Sequence, residues 1–219
     1  MFESGSASHL YLNLFDADES FLRDPLAMAF YREISGLTAE QVPEISFVLG
    51  LHNKRKQGVY HLTERMSRRF LGWKNPEDGK PGDGVLIKAR NIHFEPDEPM
   101  FSEQLYPQVE NATGLDYLEN LLAVVQGSPE TFQRDLGSVL NLDYFLAYHL
   151  NLLLSGNVDG DANNFFLYSE RNRQNGELGP WHIMPWDYDH GFSGVSFQFN
   201  YLTRRLEREH PVYRARLIA

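Results

Sequence analysis

Cysteine is absent from the 219 residues, which excludes disulfides, thiolate metal sites and a cysteine nucleophile; it leaves the compartment open, because exported bacterial proteins often lack cysteine too. Long apolar runs are also missing. The stretch from Phe145 to Leu154 is interrupted by Tyr148, His149 and Asn151, and nothing approaches the roughly 18 apolar residues of a membrane span, so a soluble chain is expected. Positive charge is scarce: 20 Lys and Arg stand against 30 Asp and Glu, a formal net charge of −10. That is the wrong sign for attachment to a phosphate backbone and argues against nucleic acid as a partner. Met1 is followed by Phe-Glu-Ser-Gly-Ser-Ala-Ser, with neither a basic nor an apolar region, so no signal peptide is expected in these residues. What remains is 42% apolar and 13% aromatic, enough to build a core in a chain that would bury roughly 70% of its unfolded surface.

Apolar positions Leu22, Leu26, Ala29, Phe30 and Ile34 recur at helical spacing between an acidic start at Asp16, Asp18 and Glu19 and a stop at Gly36, with Pro25 in the first turns. Ile45 to Leu51 and Gly58 to Glu64 read as strands around a basic tip, His52 to Gln57, followed by a short helix over Arg65 to Leu71. Trp73 to Gly84 reads as a loop, Val85 to Ala89 as a strand, and Ile92 to Pro107 shows no period. Helices follow near Leu115 to Val125, after the cap Ser128-Pro129-Glu130, and over Asn141 to Ser155, stopped by Gly156. The last of these presents a stripe of Leu142, Phe145, Leu146, His149, Leu150 and Leu153, on which His149 is expected as a hydrogen-bonded core histidine. Two strands, Phe165 to Ser169 and Trp181 to Trp186, are joined by the turn-rich Arg171 to Gly176. The Asn111-Ala-Thr113 sequon is read as coincidence.

Chemistry concentrates in Asn157-Val-Asp-Gly-Asp-Ala-Asn-Asn164 and Trp186-Asp-Tyr-Asp-His-Gly191. The hairpin between them returns the end of its second strand to the start of its first, so four carboxylates and several amides can assemble one site. Such oxygens suit magnesium, manganese or calcium. A calcium loop fits at Asn157, Asp159 and Asp161 but fails where Ala162 replaces the required glycine and Tyr168 the required glutamate. As turn formers alone, these residues need no function. Protein kinases, however, place a catalytic aspartate five residues before a metal-binding asparagine, then a hairpin, then a second metal-binding aspartate. Asp159, Asn164 and the Asp187/Asp189 pair follow that order. Aspartates so close would repel a triphosphate, by about 4 kcal/mol per charge pair at 4 Å and an effective dielectric of 20, unless divalent cations lay between. In this reading Asp187, with Asn164 and Asp189, holds metal, and Asp159 accepts the proton of an acceptor hydroxyl.

Gly58-Val-Tyr-His-Leu-Thr-Glu64, the 157–164 loop with Phe165-Phe-Leu-Tyr168, and Pro185-Trp-Asp-Tyr-Asp189 together resemble the spore-coat CotH family, atypical kinase-like proteins. The likeness runs from about Leu14 to Leu206. It implies an α+β, atypical protein-kinase-like fold: a β-rich N-terminal part to about residue 90 and a helical C-terminal part, 91–219, carrying a metal-site hairpin, in one domain. It implies ATP with Mg2+ or Mn2+ as cofactors, a protein substrate with a serine or threonine acceptor, and a place outside the cytoplasm, at the cell surface or in a spore coat. Family members carry an upstream Arg-Gly-x-Ser stretch and strand lysines that nothing before Ser8 supplies, so part of the nucleotide cleft is expected to be missing. Asn163 stands where many relatives have histidine. Glu64 matches a family glutamate as a cofactor-binding candidate, and Lys88 stands on its strand much as the kinase lysine does. Asp161 and Asn163 are further candidates, whereas Arg65, Arg68 and Arg69 read as a solvated face. The competing reading is a non-catalytic assembly or surface-binding module that keeps the fold.

Overall fold

The computed structural model describes residues 10–14, 18–37, 41–74, 82–89, 92–96, 105–106, 114–157, 159–192 and 199–218, with the backbone alone at 105–106 and 114–117. Seven strands and six helices follow one another along these residues: β1 (Leu10–Asn13), α1 (Arg23–Ser35), β2 (Ile45–His52), β3 (Arg55–Glu64), β4 (Gly84–Ala89), β5 (Leu105–Tyr106), α2 (Gly114–Val125), α3 (Pro129–Val139), α4 (Leu142–Ser155), β6 (Phe165–Glu170), β7 (His182–Pro185), α5 (Tyr201–Glu209) and α6 (Pro211–Ile218). Two antiparallel sheets form, in the orders β1-β3-β2 and β5-β4-β6-β7. The result is a mixed α/β chain. No helix among the described residues is long and apolar enough to cross a membrane.

The helix ends follow their capping residues. Ser128 accepts a hydrogen bond from the Thr131 amide at 3.3 Å ahead of Pro129, and Asn141 accepts from Asp143 and Tyr144 at 3.1 and 3.2 Å, satisfying amides that have no intrahelical partner. Gly36 and Gly156 close α1 and α4 in the left-handed conformation, which costs glycine nothing. The β2–β3 turn is tighter than its basic sequence indicates: Asn53 and Lys54 both take positive φ, as a two-residue hairpin turn demands, and β3 starts at Arg55. The helix expected over Arg65 to Leu71 is instead a run of turns. α5, capped by Asn200, and α6 lie beyond the elements the sequence pattern resolves. Part of the 73–84 loop and of the aperiodic 92–107 stretch, and all of 111–113, fall outside the described residues.

Helix α1 is present but turned. Leu22, Leu26 and Ile34 are exposed, while Asp24, Ala27, Met28 and Tyr31 are buried. That face is inward because α1 lies against α4 and the Tyr31 hydroxyl donates to the Ile183 carbonyl of β7 at 2.6 Å. α4 is buried almost all round, with Leu153 facing solvent instead of the core. His149 has no exposure; its Nδ1 meets the Tyr213 hydroxyl at 2.9 Å, and burial holds its pKa down at about 4. It is a neutral core histidine.

Candidate functional site

The open end of the β6–β7 hairpin makes the site. Phe165 pairs with Pro185, and the ladder runs one step further, the Trp186 amide donating to the Asn164 carbonyl at 2.8 Å. Beyond it, both Asn164 (φ 57°) and Asp187 (φ 61°) adopt the left-handed backbone, and the Asn164 Nδ2 donates to the Asp187 carbonyl at 3.2 Å. Asn and Asp are the residues that tolerate this conformation best after glycine. On the other side of β6, Lys88 pairs with Phe166, and Phe166 with Met184, which puts Lys88 in the row of side chains that leads to Trp186. The Phe166 and Trp186 rings meet edge to face, with centroids 5.6 Å apart.

The 157–164 loop is fixed by its backbone. The Asn157 carbonyl and Oδ1 accept from Gly160 and Asp159 at 3.2 and 3.3 Å, the Asp159 carbonyl from Asn163 at 2.9 Å, and the Ala162 carbonyl from Ile92 at 2.8 Å. The buried Asn200 amide donates to the Asp161 carbonyl at 2.5 Å, and the Tyr148 hydroxyl to that of Gly160. Gly160 has no room for a side chain: a Cβ there would stand 2.6 Å from Leu152 and 3.1 Å from the Tyr188 hydroxyl. With these carbonyls engaged, the Asp159 carboxylate is left half exposed, its Oδ2 4.0 Å from His190 Nε2.

Electrostatics ties these groups together. Burial raises the Asp187 pKa above the ordinary carboxylate value, the neighbouring Asp189 and Asp159 charges push the same way, and Lys88 and His190 oppose them. Asp187 therefore shares one neighbourhood with Asp159, Asp189, Lys88 and His190, and it is hydrogen-bonded to Asn164. Asp161 faces elsewhere. Its side chain is buried toward α5, where burial lifts its pKa to about 7, against the Asn200 hydrogen bond and the Arg204 charge. Asn163 is held by its amide on Asp159. Glu64 ends β3 in the other sheet, paired with Leu10; burial and Glu44 raise its carboxyl, a hydrogen bond at Glu44 opposing them. Among the described residues no hydrogen bond or ion pair joins Glu64 to Asp187; the Tyr11 ring of β1, the strand beside β3, meets Trp186 at 5.9 Å between centroids.

A family model described as CotH kinase protein matches residues 4–218 of this chain. The chain belongs to the CotH family. It is similar to the inner spore coat protein H of Bacillus subtilis (strain 168), 25% identical over 188 residues, a match covering 84% of this chain and 49% of that protein. The chain thus spans about half the length of that curated relative.

In this CotH-family chain, three residues near the site were not among the candidates named from the sequence. Arg23 Nη1 donates to the Asp189 carbonyl at 3.1 Å, Asp24 Oδ1 accepts from the Tyr188 amide at 2.9 Å, and His190 faces Asp159. The first two come from more than 160 positions upstream, where they read only as the polar start of a helix. His190 follows the Asp-Tyr-Asp run directly, and that adjacency is the signal that could have found it. Among the described residues no three His, Asp or Glu side chains close on a point as a metal cage. The donor set nevertheless fits magnesium or manganese, which take one or two carboxylates and complete their shell with water and phosphate oxygens. Asp187 and Asp189 repel one another unless a cation intervenes, and the Asn164 amide nitrogen is spent on Asp187, so its oxygen is the atom left to donate.

The Asn164 side chain should matter to the hairpin even without ligand. Asn164→Ala removes the bond to Asp187 and puts a less tolerant residue at positive φ, so unfolding in urea should show a loss of about 2 kcal/mol. Asn164→Gly, free of the backbone penalty, should lose less.

Proposed function

We propose that this chain transfers the γ-phosphoryl group of ATP to serine or threonine hydroxyls of a protein, with Mg2+ or Mn2+. What supports the reading is that Asn164 bonds the Asp187 carbonyl and that the half-buried Asp187 carboxyl is influenced by the charges of Asp189, Lys88 and Asp159, on a hairpin whose residue order follows that of kinases. Asp187, Asn164 and Asp189 would hold the metal, whose part is to offset the phosphate charge. Lys88, the cation facing Asp187, orients phosphate oxygens. Asp159, half exposed and beside His190, takes the proton of the attacking hydroxyl, its carbonyl and amide being hydrogen-bonded within the loop to Asn163 and Asn157. The name of the B. subtilis relative supports placement in a spore coat.

Incubation with labelled ATP, Mn2+ and a serine-rich coat-type protein should give transfer that Asp159→Asn lowers about a thousandfold without weakening the shift that ATP and Mn2+ together produce in melting temperature. If ATP and Mn2+ leave the melting temperature unmoved, the chain is an assembly module that keeps the fold without the chemistry.

A further inference from the structure

We propose that Arg23 and Asp24, in the first turn of α1, are positioning residues that hold the Asp187–Tyr188–Asp189 turn so that its two carboxylates face the site. The inference rests on the reading of Asp187 and Asp189 as metal-holding groups, and it concerns residues far outside the motif.

Asp187 holds the left-handed backbone at φ 61°, a conformation that is uncommon outside glycine even though aspartate tolerates it, and that its surroundings must therefore favour. Beside the Asn164 bond to the Asp187 carbonyl and the Gly191 amide on the Tyr188 carbonyl, two constraints on the turn come from one helix. Asp24, 5% exposed, accepts the Tyr188 amide at 2.9 Å, and Arg23 donates to the Asp189 carbonyl at 3.1 Å. An acceptor and a donor from adjacent residues thus grip an amide and a carbonyl from adjacent residues of the turn, both through charge-assisted bonds. Two turns further along, Tyr31 fixes α1 to the Ile183 carbonyl, four residues before Asp187. Arg23 is itself set: its amide donates to Asp18 Oδ2 at 2.9 Å, and its Nε stands 3.5 Å from Asp18 Oδ1. Asp18 is 1% exposed, so the clamp is braced from behind.

Holding a third carboxylate here is costly. Burial raises Asp24, and Asp187, Asp189 and Asp18 add to it, with only the Tyr188 hydrogen bond opposing. A leucine would fill the space between α1 and the hairpin without that cost, so packing alone does not account for an aspartate at this position. What the carboxylate supplies and leucine cannot is an acceptor for the Tyr188 amide, the group between the two aspartates that matter.

The test compares Asp24→Leu, which removes the acceptor, with Asp24→Asn, which keeps one, and with Tyr31→Phe, which loosens α1 from β7 without touching the turn. Two readouts are taken on each full chain: hydrogen exchange of the Tyr188 amide without metal, and Mn2+ affinity by electron paramagnetic resonance. Asp24→Leu should speed exchange about tenfold or more and weaken Mn2+ binding by about 10- to 100-fold. Asp24→Asn should leave Mn2+ binding near wild type, and Tyr31→Phe should lower the melting temperature while leaving Mn2+ affinity unchanged. If Asp24→Leu does not fold, Arg23→Met is read in its place at the Asp189 carbonyl. Mn2+ affinity that stays at the wild-type value in the folded Leu or Met variant, with only the melting temperature lowered, overturns the proposal. Should the wild-type chain bind no Mn2+, the metal reading fails on its own; the exchange arm then decides the clamp, unchanged Tyr188 protection in Asp24→Leu overturning it and lost protection upholding it.

Discussion

Asp187→Asn should lower the proposed phosphoryl transfer by about a thousandfold and at the same time raise the melting temperature of the metal-free protein by several degrees. The two effects share a cause. Asp187 is raised by burial and by the facing Asp189 and Asp159 charges more than Lys88 and His190 lower it, so without a cation its ionised form is a liability to the fold. Asparagine keeps the size, tolerates φ 61° as well as aspartate does, and removes the charge. The sign with pH follows from linkage: a carboxyl whose folded pKa lies above its unfolded value stabilises at low pH and loses that contribution as pH rises. The gain in Asp187→Asn should therefore be present at neutral pH and vanish in acid below the unfolded value of 3.8. Calorimetry in chelator and a labelled-ATP assay measure the two sides. A variant that loses stability together with activity would show Asp187 to be a structural residue.

Local rules read well where one residue decides the outcome: Ser128 and Asn141 cap their helices, Gly36 and Gly156 end theirs, and the hairpin carries Asn164 to Asp187 because its strands pair in register. The sequence pattern misreads α1, whose apolar residues Leu22, Leu26 and Ile34 are exposed while Asp24 is buried. A hydrophobic period assumes that what is buried is apolar, and here a helix buries the polar groups that grip the acidic turn. The short helix expected over Arg65 to Leu71 fails for a related reason. Arg68 donates to the Gly84 carbonyl of β4 at 2.8 Å, and turns bring that contact about where a helix would not be required. Long-range pairings such as these have no local signature, and the residues that reach the site from α1 are of this kind. His149 was legible because an intermediate-polarity residue amid leucines is most simply a core histidine.

Asp161 and His149 should give the protein two opposed pH dependences that single variants separate. Asp161 has a folded pKa of about 7 against 3.8 unfolded, through burial, with the Asn200 bond and Arg204 opposing and Glu207 adding; Tyr148 and Tyr188 close its other side. Its contribution is full below 3.8 and lost as pH rises to about 7, on the order of 4 kcal/mol. His149 has a folded pKa of about 4 against 6.5, its neighbours being Tyr213, Phe199 and the Glu207 carboxylate, 3.2 Å from Nε2. A histidine so depressed stabilises above 6.5 and loses that contribution as pH falls to about 4, on the order of 3 kcal/mol. The two groups sit on the faces of α4 and the site loop that meet α5, so the same helix registers both. Relative to the wild type, Asp161→Asn should gain stability as pH is raised through this window, and His149→Gln should gain as pH is lowered. Urea denaturation at a series of pH values gives both differences directly, and because each is taken against the wild type the other titrating groups cancel. Curves for either variant that run parallel to the wild type would remove that group from the account. Since Asp161 lies two residues from Asp159, a confirmed Asp161 curve also means that the loop beneath the site is held most tightly when that buried carboxyl keeps its proton.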